Sequence, residues 1–491
     1  MRWLRRILIG IALILATIFA VRAWDSQRGE PLAEWQTFVP TEMSTEQLAG
    51  ADWAAYVAAE NAARAEVKAE VIDKQDPRSC SLDNRYCPRS PVFPGNMKED
   101  WNRSVILEPA GPPVGAAVFL HGLTDAPYSL RHAARAYQAR GWVALLIRLP
   151  GHGTVPAGLT KVTTDQWRGA TQLAMREARK RVGTGKPIHM VGYSNGAALA
   201  VDHTLLALAE PALIRPDRVV LMSPAIGITG AARFAGLAGL PAVFPAFAKA
   251  AWLDLFPEYN PYKYNSFPVN AARQSFAMTV LIRDGMAART ADGTLKNMPP
   301  IVAFQSVVDS TITMPTLVTG LFNQLPANGS ELVLFDMNRD AAFRPLLNTT
   351  AAPNLDTLMG QGPRNYAYTL ITNKGDARKV VAEASPAGET APTATPLGLE
   401  WPREIFSVGH IAIPFPLDDG LYGTIPNPAD PQGIQLGALA LRGERGVLIV
   451  PPTLLMRISA NPFFPYMMQR IEAGITPAAA PAATPAAVPA P

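Results

Sequence analysis

Ile188-His-Met-Val-Gly-Tyr-Ser-Asn-Gly-Ala-Ala-Leu-Ala200 is the stretch on which the fold of this chain turns. Residues 188–191 are a short β-prone apolar run, and residues 197–200 open a helix with no breaker. Between them lies Gly192-Tyr193-Ser194-Asn195-Gly196, a G-x-S-x-G motif. Alone the motif is weak, because glycine is common enough to produce it by chance. Set between a strand and a helix, it predicts a sharp turn that needs small flanking residues. Such a turn lifts the Ser194 hydroxyl above the sheet and aims a helix N-terminus at it. The plain alternative is a glycine-flanked turn carrying a structural serine.

Outward from this turn the chain alternates. Strands are expected at 103–107, 116–120, 143–147 and 219–222, with helices at 130–140, 164–181 and 195–208. Short continuous apolar strands separated by helices predict an α/β fold, a doubly wound and mostly parallel sheet covered on both faces. From 225 to 298 the alternation stops, and Ala, Gly, Phe and Pro dominate, then Tyr and Asn. This stretch reads as a helical, surface-lying cap. The strand pattern resumes at 301–304 and 332–335, so the core is expected over 103–224 and 299–475. Residues 338–402 read as a loop-rich insert holding one hairpin, 366–372 with 379–383.

The amino terminus has the form of an export segment. Arg2, Arg5 and Arg6 precede an uncharged apolar run at 7–21, Trp3 and Trp24 bracket it, and Arg22 is placed to snorkel. Residues 1–24 are therefore expected to be a signal anchor or signal peptide. The arginines stay inside, so the rest of the chain faces the periplasm or the outside, anchored to the membrane; the alternative is secretion after cleavage near Ala23. Residues 25–102 read as a helical linker region with a helix at 51–71. Its two cysteines, Cys80 and Cys87, are expected to form a local disulfide, which requires an oxidising compartment. Residues 476–491 contain only Ala, Pro, Thr and Val and read as a disordered tail.

Composition excludes several classes. A net charge of +4 over 491 residues, with no clustered basic face, argues against nucleic acid as a partner. There is no H-E-x-x-H and no G-x-G-x-x-G after the first strands, so neither a metal nor a dinucleotide is expected, and no cofactor. Oligomeric state is not legible.

A second motif bears on Ser194. Val118-Phe-Leu-His-Gly-Leu-Thr124 is a strand ending in His-Gly. Acyl transfer needs two preorganised donors for the developing oxyanion. The backbone N–H of Asn195 supplies one and that of Leu123 the other, while His121 shapes the loop. With Leu149-Pro-Gly-His-Gly153 after the next strand, the sequence resembles the α/β-hydrolase family, in particular its esterase and monoacylglycerol-lipase-like branch. The likeness is close over 105–224 and looser over 298–335.

The resemblance implies a Ser–acid–His chain order. The acid should follow the strand after the cap, where an acid with an aliphatic residue three positions on is usual: Asp309 and Ile312 fit. Asp309 is equally placed to be a helix N-cap, and Asp336 is the other acid in order. Of the six histidines only His410 follows either acid. The departure from the family is the long gap between acid and histidine. The resemblance implies a lipid-like or other small carboxylic ester as substrate, and Phe234, Leu237, Phe244, Phe247 and Trp252 of the cap point to an acyl or aromatic group. An amidase, peptidase or acyltransferase on the same fold, or a binding protein that retains it, are the alternatives.

Overall fold

A computed structural model describes residues 2–475 apart from 77–79, 82, 228–234, 341–343, 349–350, 352–353, 361, 374–377 and 445–446. The expected Ala/Pro tail at 476–491, Phe234 and the tight turn of the 366–383 hairpin lie outside the described residues.

The strands are β1 Val105–Leu107, β2 Gly115–Leu120, β3 Trp142–Ile147, β4 Ile188–Tyr193, β5 Arg218–Met222, β6 Trp252–Asp254, β7 Phe267–Pro268, β8 Ile301–Ser306, β9 Glu331–Phe335, β10 Ala367–Thr372, β11 Lys379–Ser385 and β12 Thr393–Glu400. Ten of them form one sheet in the order β1-β3-β2-β4-β5-β8-β9-β10-β11-β12, while β6 and β7 pair apart. From β3 to β10 every neighbouring pair is parallel; β1, β11 and β12 are antiparallel additions at the edges.

The central strands are apolar throughout because both faces are covered. Successive side chains alternate between two cores: Ala116, Val118 and Leu120 of β2 enter one and Ala117 and Phe119 the other, with the same division along β3, β4, β5, β8 and β9. Helices Thr164–Val182, Asn195–Ala209 and Val269–Ala291 cover the first face. Helices Arg131–Ala139 and Phe464–Ala473 cover the second, together with the apolar residues of 401–436.

Three expectations need correction. The 225–298 stretch is not wholly surface-lying. Its last part is the 23-residue helix Val269–Ala291, which buries Met278, Ile282 and Met286 in the first core against the helix that follows Ser194. Gly and Pro before it had masked its helical spacing. The 338–402 insert holds the expected hairpin, β10 with β11, but the hairpin is part of the main sheet: β10 extends it parallel to β9, and β12, which was not expected, adds a further strand. Residues 403–408, strand-like in composition, form turns with only an isolated bridge from Ser407 to Met337.

That bridge closes the insert at its base. The Asn338 backbone N–H donates to Phe406 O at 2.8 Å and its Nδ2 to Ile405 O at 3.2 Å. Asn373 Nδ2, from just beyond β10, donates to Asn338 Oδ1 at 2.9 Å. Asn338 and Asn373 are fully buried, so the clasp is shielded from water.

Residues 25–102 pack on the α/β core. Leu48 and Tyr56 are buried in the first core. Glu42 and Glu60 pair with the buried Arg148 guanidinium, at 2.7 and 3.3 Å, at the end of β3. Cys80 and Cys87 are disulfide-bonded, with Cα atoms 5.6 Å apart. Helix Arg2–Asp25 is long and apolar enough to cross a membrane. The Arg22 guanidinium donates to the carbonyls of Trp252, at 2.6 Å, and Ala238, at 3.1 Å.

Candidate active site

The turn after β4 is built by close approach. Ser194 has φ 54° and ψ −115°, a left-handed backbone that costs a non-glycine residue on the order of 1–3 kcal/mol. Its backbone is held from both sides: Ser194 N–H donates to Met222 O at 2.9 Å, and Ala225 N–H donates to Ser194 O at 3.1 Å. A Cβ at Gly192 would stand 2.4 Å from Ala197 Cα, and one at Gly196 would stand 1.9 Å from Leu120 O. Only glycine lets the helix start so close to β2 and β4. The Ser194 side chain is left half-buried at the end of the sheet.

The chain brings Ser194, His410 and Asp309 together. His410 Nε2 lies 3.1 Å from Ser194 Oγ, and its Nδ1 lies 2.7 Å from Asp309 Oδ2. The two residues of the second pair are 101 positions apart in sequence. The clasp explains the separation, since the chain leaves β9 at Met337 and returns to it at Ser407, three residues before His410. Spatially the histidine follows β9 directly.

Asp309 Oδ1 accepts the backbone N–H groups of Thr311 at 2.8 Å and Ile312 at 3.1 Å, so it caps its own turn while Oδ2 faces the ring. Burial pushes its carboxyl up, but the charge and hydrogen bond of His410, with those two N–H groups, outweigh burial and hold it below the usual carboxylate range. An ionised Asp309 accepts, so Nδ1 of His410 carries the proton and Nε2 is free to accept from the serine hydroxyl. Gln305 Nε2, from β8, donates to Asp309 Oδ2 at 2.9 Å. Sequence reading missed Gln305; its one signal is a lone amide in an apolar strand, four residues before the acid.

The His-Gly loop lies against the serine: a Cβ on Gly122 would be 3.4 Å from Ser194 Cβ. Leu123 is the next residue of this loop, and Asn195 is the first residue of the helix after the serine. Thr124, next along, has φ 61° and its carbonyl accepts the Tyr264 N–H at 2.7 Å. His121 accepts the Leu149 N–H at Nε2, 3.0 Å, and donates from Nδ1 to Gly122 O, 2.9 Å. Burial pushes its pKa down to about 3, so it ties two loops as a neutral ring. His152 is likewise buried, with Nδ1 on Pro150 O at 3.1 Å. Asp336 is away from His410; it takes the guanidinium of Arg339 and the hydroxyl of Thr372.

A cavity of about 860 Å³ borders His410 and Asp309. Its walls come from Glu404–His410, from Leu346, Leu347 and Asn348 of the insert, and from Gly437–Ala440 and Leu455–Ser459. The cap aromatics Phe244, Phe247 and Trp252 do not line it. Phe244 and Phe247 each meet Phe19 of the amino-terminal helix edge-on, with centroids 6.4 Å apart, and Trp252 packs with Val67, Tyr86 and Val155. Among the described residues no group of three or more His, Cys, Asp or Glu is placed to hold a metal.

No protein-family profile matches the chain. A thermostable monoacylglycerol lipase from Bacillus sp. (strain H-257) is 33% identical over 122 residues, 24% of this chain and 46% of the lipase. The chain thus spans about half the length of that relative. Among solved structures, one from a pair of metagenome-derived lipolytic enzymes aligns with TM-score 0.37 and 21% identity over 48% of this chain and 88% of its own. A soluble variant of monoglyceride lipase from Saccharomyces cerevisiae aligns with TM-score 0.38 and 12% identity over 52% and 89%.

Proposed function

We propose that this chain, which has the α/β-hydrolase fold, is an exported, membrane-anchored serine hydrolase that cleaves carboxylic esters. The observation that carries the proposal is the continuous hydrogen-bonded line Asp309–His410–Ser194, with the serine on a strained strand-to-helix turn. In this reading His410 Nε2 takes the Ser194 proton as Oγ adds to the ester carbonyl. The oxyanion is met by the backbone N–H groups of Leu123 and Asn195, and the imidazolium is stabilised by Asp309. His410 then protonates the departing alkoxide, and water repeats the sequence on the acyl-enzyme. The partial match to a monoacylglycerol lipase supports a lipid-like ester as substrate. Export is supported by the apolar amino-terminal helix and by the disulfide.

An alkyl phosphonate ester should label Ser194 stoichiometrically, and Ser194→Ala should lose about three orders of magnitude or more in kcat/KM. A folded Ser194→Ala variant with near-normal turnover removes the serine-hydrolase reading. Matched ester and amide substrates separate it from an amidase or peptidase.

A further inference from the structure

We propose that the cavity beside His410 receives the alcohol portion of the ester, so that the enzyme selects substrates by a bulky apolar leaving group. The inference rests on the serine-hydrolase reading and adds to it a direction. At the tetrahedral carbon the four substituents are fixed by the machinery: Oγ of Ser194, the oxyanion toward Leu123 and Asn195, the leaving oxygen, and the acyl chain. The leaving oxygen must lie against His410 Nε2, because that nitrogen returns the proton to it as the carbon–alkoxide bond breaks. The alcohol therefore extends past the histidine, and the acyl chain takes the remaining direction.

The cavity is on the histidine side. Val408, Gly409, His410 and Asp309 border it, whereas Ser194, Leu123, Asn195 and the 225–298 stretch do not, so the cavity begins one residue from the nucleophile, behind the histidine. At about 860 Å³ it is comparable with pockets that enclose a whole small molecule, roughly 300–1,000 Å³. Its walls are largely apolar, and Leu346, Phe406, Leu439 and Met456 are exposed around it at 82%, 43%, 45% and 63%. Apolar side chains left open on a cavity that adjoins a general acid are what an apolar leaving group would cover. Apart from Val308, Asp309 and Ser310, the pocket is made by segments after β9, the part of the chain in which the family likeness gives out.

The test is two ester series on the purified full chain in detergent. One varies the alcohol from methyl to butyl, benzyl and naphthylmethyl at fixed acetate. The other varies the acyl chain from acetate to octanoate at fixed methyl. The expected result is a rise in kcat/KM of tenfold or more along the alcohol series and a smaller change along the acyl series. Leu455→Trp, which fills the cavity, should lower the naphthylmethyl-to-methyl ratio at least tenfold; Phe406→Ala, which widens it, should raise that ratio. A rise confined to the acyl series, or a ratio unchanged in both variants, overturns the assignment and leaves ester hydrolysis standing. No turnover in either series together with no phosphonate labelling of Ser194 overturns both.

Discussion

Replacing Asp309 by asparagine should cost about three to four orders of magnitude in kcat/KM, and the structure says through which atom. Oδ1 accepts from Thr311 and Ile312, and Oδ2 faces His410 Nδ1. An asparagine keeps its carbonyl oxygen on the two N–H donors, since two backbone hydrogen bonds at about 1 kcal/mol each favour that orientation roughly thirtyfold. Its NH2 group then points at Nδ1 and donates. Gln305 offers no obstacle: its Oε1 has no hydrogen-bond partner among the described residues, so turning its amide over accepts the new N–H while relieving that atom. His410 is driven to the tautomer with its proton on Nε2, which cannot take the serine proton. Loss of the negative charge that stabilises the imidazolium multiplies the effect, and the analogous change in a serine protease triad costs about 10⁴, or about 5.5 kcal/mol. The assay is kcat/KM for a p-nitrophenyl ester near neutral pH, with the rate of phosphonate labelling as an independent measure of serine activation. A loss of less than tenfold in both would refute the tautomer argument, and a large loss in Asp336→Asn instead would move the acid to that residue.

Three further outcomes are expected from the packing. Gly196→Ala should abolish soluble expression or lower the denaturation midpoint sharply, because its Cβ would stand 1.9 Å from the Leu120 carbonyl oxygen and both partners are backbone; a midpoint within experimental scatter of wild type would show that the turn relaxes. Thiol titration of denatured, unreduced protein should find neither Cys80 nor Cys87 reactive, and two free thiols would deny the disulfide. Acid titration of stability should show an Asp309 contribution. Its folded pKa lies below the unfolded value of about 3.9, so the stabilisation is complete above that pH and is lost as pH falls through the folded value. Asp309→Asn should flatten that acid limb in urea-unfolding measurements, and an unchanged slope would remove the carboxylate's share.

Much of the centre was legible because there the local signals agree. Apolar runs such as 143–147 and 219–222 are buried on both faces, and the strand–glycine–helix sequence around Ser194 leaves the backbone one course. His410 was reachable only through chain order, since nothing local distinguishes a histidine after a glycine. What misled was composition read without partners. Residues 403–408 have strand-like side chains but meet only Met337 and Asn338, just past β9, and so make a bridge and no ladder. Phe244 and Phe247 of the aromatic-rich cap meet Phe19, some 225 positions upstream, a contact no local pattern can announce. The strand β12 was missed because Thr393–Glu400 is exposed along most of its length and lacks an apolar face to betray it.

The buried asparagine clasp at the root of the insert separates two properties that are usually coupled, the length of a chain and the position of the residues beyond it. Because departure at Met337 and return at Ser407 are neighbours, His410 is located by the join and is indifferent to the path between. The entropy of closing such an excursion grows by only about 0.6 kcal/mol for each doubling of its length, so the interval is a natural place for material to be gained, lost or exchanged during descent. The limit is set by the sheet: β10 covers the flank of β9, and any replacement must still occupy that edge or leave a bare ladder of donors and acceptors open to another chain. Lineages sharing this reaction centre are therefore expected to differ most in what they hang from this one point.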